Sequence, residues 1–343
     1  MSLKVIKFVA GGGKTTESKE LLLENRNCIY LAFNNKVVDE LSFKGFLSKT
    51  IDSFFVSFII PKFIDLIPLI ANESEICFCD KNNVPGWLIG VLKINIKIDG
   101  FLYNQTSKTV FSLEMKNAEL YKMKQCPNFK FINYIFSRDK LMLTNTLRDN
   151  LCSYLLEKFQ DKIIEIIEKR FEVVIIDEAQ DLKGYREKFA ELLARSKVKL
   201  YVFGDDYQNI NGGGKWFLNL TSDNYKNISH RCPEKNCKWI RDNMNIEIYG
   251  ENKQEGGVIH IDLEEAKEYD NSKRVLLYKA LSGRYKSIAD EWKGPKYTIQ
   301  AAKGMTIYED IVIIGGILSD NFLYTAITRT TKKCFFTVKM KSK

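Results

Sequence analysis

Three segments of the chain place glycine, lysine, carboxylate and arginine side chains in an order suited to phosphate chemistry. The first, AGGGKTT (10–16), sets three glycines before a lysine and two threonines. Glycines let backbone amides approach phosphate oxygens, and a following helix directs its positive end at them. Lys14 supplies a charge for the terminal phosphates, and Thr15 supplies a hydroxyl for magnesium. The predicted nucleotide-binding residues are Gly11, Gly12, Gly13, Lys14, Thr15 and Thr16.

The spacing of this glycine segment is shorter than the usual G-x-x-x-x-G-K-[ST] pattern. Phe8 stands at the position of the first glycine of that pattern. A glycine-rich turn between a strand and a helix, with no bound phosphate, is the alternative interpretation of the segment taken alone.

Two carboxylates follow directly after the apolar run VVII. Asp177 and Glu178 are therefore expected at the mouth of a buried strand. One carboxylate of such a pair binds magnesium, and the other orients and deprotonates an attacking water. A solvated pair at a strand end is the alternative, but Gln180, Asp181 and a second strand ending in Gly204 and Asp205 favour the catalytic interpretation.

Three further side chains are candidates for contact with a terminal phosphate. Gln208 carries an amide that both donates and accepts hydrogen bonds. Arg329, in TAITRTTKK, is expected to reach across a cleft between domains as an arginine finger, and Arg231 is a second candidate. Either arginine alone is also compatible with an ordinary surface charge.

Alternating strands and helices must position these residues. Strand-like runs at 4–10, 28–33, 173–178 and 198–206 are separated by helical patterns, and further runs at 274–281, 296–304, 309–318 and 334–340 form a second block. This alternation predicts mostly parallel sheets with ligands at the carboxyl ends of the strands. Residues 149–171 repeat leucine and isoleucine at helical spacing, and Gly212, Gly213 and Gly214 mark an expected hinge or loop.

Composition and net charge limit the classes of protein to which the chain can belong. The 343 residues contain 45% hydrophobic and 28% charged residues and carry a net charge of +9, which suits a polyanionic partner. The apolar stretch 53–71 is interrupted by prolines and charges, so no membrane span is expected. The opening residues lack a leader signature, and the scattered cysteines predict reduced thiols, so we expect an intracellular protein. His230, Cys232 and Cys237 offer a less favoured zinc alternative without a paired fourth ligand.

The ordered motifs resemble those of superfamily 1 helicases, most closely the Rep/UvrD type. Eight segments match in family order: AGGGKTT, LAFNNKVVDEL, KTIDSFF, IIDEAQDL, VFGDDYQNI, SHRCPE, YTIQAAKGMT and LYTAITRTTKK. The resemblance implies two RecA-like α/β domains of the P-loop NTPase class. It also implies an ATP- and Mg²⁺-dependent motor that walks on single-stranded nucleic acid and separates a duplex.

The resemblance also assigns roles to residues. Lys14 and Thr15 would bind phosphates and magnesium, Asp177 would bind magnesium, and Glu178 would be the catalytic base. Gln208, Arg231 and Arg329 would contact the terminal phosphate from both sides of the cleft. Phe33 and Asn34 would touch single-stranded nucleic acid, although core packing at a strand end is the alternative for Phe33. Thr298 and Lys303 would lie near backbone phosphates or the nucleotide cleft.

Several positions depart from the family pattern. The upstream adenine-reading glutamine motif is missing, Gln300 replaces a histidine, and Thr306 stands where a ribose-binding glutamate is usual. The last two changes favour the viral branch of the superfamily, in which case the protein would act in a host cell in viral replication. Asp52 replaces a histidine, and Trp216 is displaced from the position of the tryptophan expected after the third motif.

The resulting domain prediction has three parts. Residues 1–55 and 146–214 form the first RecA-like domain, 56–145 an inserted accessory subdomain, and 215–343 the second RecA-like domain. The expected partners are single-stranded DNA or RNA, a duplex junction and replication proteins. Two rival functions stay open: a strand-stimulated NTPase or translocase that does not unwind, and a non-enzymatic nucleic-acid-binding replication protein with a degenerate P-loop.

Overall fold

The computed structural model describes most of the chain outside residues 67–144. The described residues are 2–33, 38–39, 41–42, 45–66, 76–78, 96–98, 101–104, 109–110, 141–143, 145–269, 273–279 and 283–340. Within them the chain alternates strands and helices. The strands are β1 (Ser2–Phe8), β2 (Cys28–Ala32), β3 (Ser48–Thr50), β4 (Ile76–Phe78), β5 (Ile96–Ile98), β6 (Phe101–Asn104), β7 (Thr109–Val110), β8 (Leu141–Leu143), β9 (Val173–Ile176), β10 (Lys199–Gly204), β11 (Asn224–Lys226), β12 (Ile228–Pro233), β13 (Tyr249–Asn252), β14 (Gly257–His260), β15 (Arg274–Tyr278), β16 (Lys296–Thr298), β17 (Asp310–Ile314), β18 (Ile317–Leu318), β19 (Lys333–Phe336) and β20 (Lys339–Met340).

The helices fall between these strands. They are α1 (Lys14–Glu24), α2 (Ile51–Phe54), α3 (Asn145–Lys158), α4 (Gln160–Glu168), α5 (Tyr185–Leu193), α6 (Trp216–Asn219), α7 (Glu234–Met244), α8 (Leu263–Glu268), α9 (Gly283–Glu291), α10 (Ile299–Ala302) and α11 (Asp320–Ile327). The chain continues from α2 as a π-helical turn, Phe55–Ile59, and a 3-10 turn, Ile60–Leu66.

Two compact units divide the chain. The first comprises Met1–Ser48, Phe171–Lys183 and Lys197–Lys343, and the second comprises Lys49–Arg170 and Gly184–Ser196. The domain boundaries expected from the sequence stay a prediction. The first unit contains both large parallel sheets, so all of the phosphate-handling motifs except KTIDSFF lie wholly within it.

The first sheet is parallel and has the order β11-β1-β10-β9-β2, with Ser48, the first residue of β3, closing the far edge. Its central strand β9 has the sequence VVII and is buried along its whole length. A continuous apolar run of this kind is typical of a parallel strand covered on both faces. Pairing of β11 with β1 extends this sheet beyond residue 214, the expected end of the first domain.

The second sheet is also parallel and has the order β14-β19-β17-β15-β16. Two buried clusters cover its faces, one including Ile311, Ile313 and Phe336 and the other including Leu276 and Val312. Alternate residues of β17 therefore point to opposite faces, as the strand geometry requires. Two parallel-sheet halves confirm the α/β fold class expected from the alternation of elements.

The first cluster also contains Val9 and Ala10, which follow β1 of the first sheet. The end of β1 is therefore packed among side chains of the second sheet and its helices. This shared core fixes the glycine turn, which begins at the next residue, against the second half of the same unit.

The second unit is described mainly by its helices. Phe55 packs edge-on against Phe189 of α5, with ring centroids 4.9 Å apart. Asp52 receives two hydrogen bonds from Arg186, at 2.5 and 2.8 Å, and one from the Tyr185 hydroxyl at 2.5 Å. The negative charge that the sequence places at Asp52 is thus neutralised inside this unit. Short strands also occur, with β4 parallel to β8 and β5, β6 and β7 antiparallel.

Some elements differ from the sequence expectation. The helix expected over 149–171 is two helices, α3 and α4, separated at Phe159. The strand expected over 296–304 ends at Thr298, whose side chain accepts a hydrogen bond from Ala301 N and caps α10. The capping bond satisfies a backbone donor at the helix start, so the chain turns there instead of staying extended.

In the part of the chain that the structure describes, no helix combines the length and apolar character needed to cross a bilayer.

Candidate functional site

A pocket of about 430 Å³ in the first unit brings the predicted phosphate-handling residues together. It lies at the carboxyl ends of β1 and β9 and is lined on another side by β12, by the segment between α10 and β17 and by the segment after α11. The lining residues are Gly11, Gly12, Gly13, Lys14, Thr15, Thr16, Asp177, Glu178, Gln208, His230, Arg231, Gly304, Thr306, Tyr308, Arg329 and Thr331. Lys14, Asp177 and Arg329, which are distant in sequence, therefore face one space.

The glycine turn contains two positions, Gly11 and Gly13, whose backbone conformation favours glycine. Gly11 has φ +75°, and a Cβ there would lie 2.7 Å from Arg231 Cβ and 2.8 Å from Ser229 Oγ. Gly13 has φ +88° and precedes α1, so the start of that helix faces the pocket. Glycine alone adopts such angles without steric cost. The turn is also bonded to β12, because Ser229 Oγ donates to Ala10 O at 2.6 Å.

Lys14 lies against the two carboxylates at the end of β9. Its Nζ is 3.0 Å from Glu178 Oε1 and 4.0 Å from Asp177 Oδ1. Burial disfavours the charged lysine, but the nearby Glu178 and Asp177 outweigh burial and raise the pKa of Lys14. Burial likewise opposes ionisation of Glu178, yet Lys14 and Lys303 lower its pKa to about 2. For Asp177 burial prevails, and its pKa is raised.

Asp177 and Glu178 are held in different ways. Asp177 accepts a hydrogen bond from the Tyr30 hydroxyl at 2.5 Å and one from Glu178 N at 2.7 Å. Glu178 has φ +55°, in the left-handed region. A residue with a Cβ in such a conformation costs about 1 to 3 kcal/mol, and this kind of strain is concentrated at functional sites. Gln180 donates to Glu178 Oε2 at 2.5 Å and so fixes its side chain.

Gln208 belongs to a buried network that the sequence did not predict. Its Nε2 donates to Asp205 Oδ2 at 2.9 Å, and the Tyr324 hydroxyl donates to the same oxygen at 3.0 Å. Tyr324 also accepts from Ala10 N at 2.9 Å. Burial raises the pKa of Asp205 to about 6. The network joins α11, the start of the glycine turn and the segment after β10. Tyr324 lies inside the recognised segment LYTAITR, but only its position on α11 reveals the contact.

The two candidate arginines form no ion pair with a carboxylate of the described residues. Arg329 is only 1% exposed and donates to Thr325 O at 3.0 Å, and Arg231 donates to Thr328 O at 3.3 Å. Burial and the neighbouring Arg231 lower the pKa of Arg329 to about 10, so it keeps its charge at neutral pH. Buried cations are normally paired, so this arrangement suits an anionic ligand.

Lys303 does not present its charge to a strand at the surface. Its side chain is 7% exposed, forms an ion pair with Asp181, donates to Gln208 O at 2.8 Å and lies 3.9 Å from Glu178 Oε2. Lys303 thus lies among the carboxylates next to the pocket, and its expected contact with backbone phosphates or a nucleotide stays a prediction. Lys303 thereby contributes to the low pKa of Glu178.

The remaining predicted contacts to nucleic acid lie elsewhere. Phe33 is half-buried just after β2, and Asn34 lies outside the described residues. Thr298 is the half-buried cap of α10. Neither Phe33 nor Thr298 lines the pocket, and their proposed role in binding a strand stays a prediction.

The zinc alternative finds no support in the described part of the chain, where no group of three His, Cys, Asp or Glu side chains is arranged to hold a metal ion. The His230 ring pairs with Glu251 at 2.8 Å, whereas Cys232 and Cys237 are fully buried. Cys28, Cys152 and Cys334 are also buried free thiols, in agreement with the reduced state expected from their apolar surroundings.

Known proteins resemble the chain in part. Residues 103–233 match the UvrD/REP helicase N-terminal domain. Among solved structures, a crystal structure of arterivirus nonstructural protein 10 (helicase) has a TM-score of 0.45 and 12% identity over 98% of this chain and 59% of that one. Its complex with DNA has a TM-score of 0.46 and 12% identity, covering 98% and 60% of the two chains.

A structure of the PRRSV helicase has a TM-score of 0.44 and 12% identity, covering 98% of this chain and 52% of that one. The chain therefore spans 52% to 60% of the length of these three helicase chains. No curated protein matches the chain.

The matched domain contains three of the recognised segments, those of Asp177, Gln208 and Arg231. The other recognised segments precede and follow it in family order, and two parallel sheets carry most of them. The chain is therefore similar to the UvrD/REP helicase N-terminal domain over residues 103–233.

Proposed function

We propose that this protein hydrolyses ATP with Mg²⁺ and couples hydrolysis to movement along single-stranded nucleic acid and to unwinding of a duplex. One observation carries the proposal: two arginines, which form no ion pair with a carboxylate of the described residues, face Lys14, Asp177 and Glu178 across a single pocket. A triphosphate is the ligand that satisfies all these charges at once, since it is anionic enough to bind the lysine and both arginines.

In the proposed reaction, Lys14 leaves Glu178 and binds the phosphates. Lys14 lies 3.0 Å from Glu178 and helps to keep the pKa of that carboxyl near 2, too low for an effective base. A bound triphosphate would draw Lys14 toward its phosphates. Glu178 would then regain basicity while Gln180 keeps its orientation, so it can take a proton from the attacking water.

Asp177 and Thr15 are the residues that would hold magnesium. Both present oxygen atoms, the donor type that Mg²⁺ prefers, and Mg²⁺ commonly takes only one or two protein ligands beside phosphates and waters. Bound magnesium would neutralise charge on the phosphate oxygens. Asp177 is oriented for this by Tyr30 and by Glu178 N.

Movement requires that the two sheet halves respond to nucleotide. Arg231 lies in β12 and Arg329 follows α11, whereas Lys14 follows β1, so a triphosphate would bind both halves. Closure of two halves on a nucleotide is a known way to alternate grips on a ligand. The net charge of +9 suits a nucleic-acid track, and replication proteins are further proposed partners.

The direct test is ATP hydrolysis with and without single-stranded DNA and RNA. We expect Lys14→Ala and Glu178→Gln each to lose at least about 100-fold in turnover. Lys169→Ala and Glu165→Gln are matched controls, because this exposed pair on α4 forms a similar lysine–glutamate contact and does not line the pocket. Parental turnover in both pocket variants would refute the proposed chemistry.

An unwinding assay on a tailed duplex distinguishes a helicase from a translocase. Stimulated hydrolysis without strand separation would favour the translocase. Binding of oligonucleotide with no binding of ATP would instead favour a non-enzymatic replication protein.

A further inference from the structure

Tyr308 is the most exposed aromatic residue at the nucleotide pocket and has no part in the chemistry above. The residue is 67% exposed, yet it lines the pocket together with Gly304 and Thr306. Ile307 between them is 4% exposed and belongs to the core. Thr306 and Tyr308 therefore share one face of an extended segment, and that face is the wall of the pocket.

The backbone on both sides of Tyr308 is bonded to the arginine segment. Ile307 N donates to Arg329 O at 2.8 Å, and Thr331 N donates to Ile307 O at 2.9 Å. On the other side, Thr330 Oγ1 donates to Glu309 O at 2.5 Å. The backbone at Tyr308 is thus held beside that of Arg329. If Arg329 moved toward a phosphate, the backbone at Tyr308 would move with it.

The chemistry of this wall differs from that of the phosphate end. Lys14, Arg231 and Arg329 supply the cationic groups of the pocket, whereas Thr306 and Tyr308 supply a hydroxyl and an aromatic ring. An aromatic face suits a sugar or a base and adds little to the binding of a bare phosphate chain.

We propose that Tyr308 is a specificity residue that packs its ring on the nucleoside part of the bound triphosphate. This inference rests on the proposed function and adds to it. Because the backbone next to Tyr308 is hydrogen-bonded to that of Arg329, recognition of the nucleoside and contact with the terminal phosphate occur on two directly bonded segments. A correct nucleotide would therefore help to set the arginine in place, and a triphosphate without a nucleoside would lose this contribution.

The test compares the dissociation constants of Mg-ATP and of magnesium tripolyphosphate for wild type, Tyr308→Ala and Tyr308→Phe. We expect Tyr308→Ala to weaken ATP binding about tenfold and to leave tripolyphosphate binding unchanged. Tyr308→Phe keeps the ring and should stay near wild type. Tyr249→Ala is the matched control, because Tyr249 is also exposed but does not line the pocket. Circular dichroism verifies that each variant is folded.

The other possible results contradict either the role of Tyr308 or the proposed function. Equal weakening of both ligands, or no change in ATP binding, would overturn the role of Tyr308 while leaving the proposed function intact. Weaker binding of single-stranded oligonucleotide without nucleotide, with ATP binding unchanged, would assign the ring to the strand and overturn the inference. Failure of the wild type to bind Mg-ATP would overturn the proposed function and this inference with it.

Discussion

Arg329 is a buried charge whose proposed contact with a phosphate would come at the expense of stability. The guanidinium is 1% exposed and has no carboxylate ion pair among the described residues. Its pKa of about 10 lies below the usual range for arginine, so folding disfavours its protonated form. The unfolded chain binds more protons between pH 10 and 12.5. The free energy of unfolding should therefore rise with pH in that window, and the full cost is present below pH 10.

We predict that Arg329→Met stabilises the nucleotide-free protein by about 1 to 4 kcal/mol, because it removes an unpaired buried charge and keeps much of the side-chain volume. The same change should lower ATP turnover about 10³-fold or more. Urea unfolding and ATPase assays measure the two effects. Lys169→Met, at the exposed residue that follows α4, is the control and should alter neither. A less stable Arg329→Met protein would contradict this account of the arginine.

At the level of elements, the Tyr324 hydroxyl ties α11 to two other segments. It accepts from Ala10 N and donates to Asp205, which also binds Gln208. Removing it would leave the buried amide of Ala10 without its acceptor, and a lost buried partner costs about 1 to 3 kcal/mol.

Tyr324→Phe should accordingly lower the free energy of unfolding by about 1 to 3 kcal/mol. Tyr249→Phe deletes a hydroxyl from an exposed tyrosine and should have almost no effect. Chemical denaturation of the two variants provides the measurement. If both lose the same amount, the contacts of Tyr324 to the glycine turn and to Asp205 do not contribute as described.

For the molecule as a whole, a nucleotide bound in the pocket as proposed would link two sheet halves of one unit. A ligand at 100 times its dissociation constant adds about 2.7 kcal/mol to the free energy of unfolding. We predict that a non-hydrolysable ATP analogue with Mg²⁺ protects amides of α1 in the first half and of β12 and α11 in the second. Hydrogen exchange measures this protection, and Lys14→Ala should abolish it. Protection confined to α1 would show that the second half does not bind the nucleotide.

Local sequence patterns were sufficient for the α/β class and for the order of the chemistry-bearing segments. The run VVII is buried along its length because a central parallel strand is covered on both faces, and that property is visible in the residues themselves. The candidates Lys14, Asp177, Glu178, Gln208, Arg231 and Arg329 were likewise predicted from short motifs, and all six line one pocket.

Contacts between distant segments were not accessible from those patterns. The pairing of Lys303 with Asp181 and the bonds of Tyr324 to Ala10 and Asp205 join residues more than 100 positions apart. The face of the chain that Tyr308 occupies depends on its backbone pairing with the segment of Arg329. A sequence motif indicates which chemical groups are available for the reaction, because residue type fixes charge and hydrogen-bonding capacity. Packing alone determines which of those groups meet and how strongly their pKa values shift, because both depend on distance and burial in three dimensions.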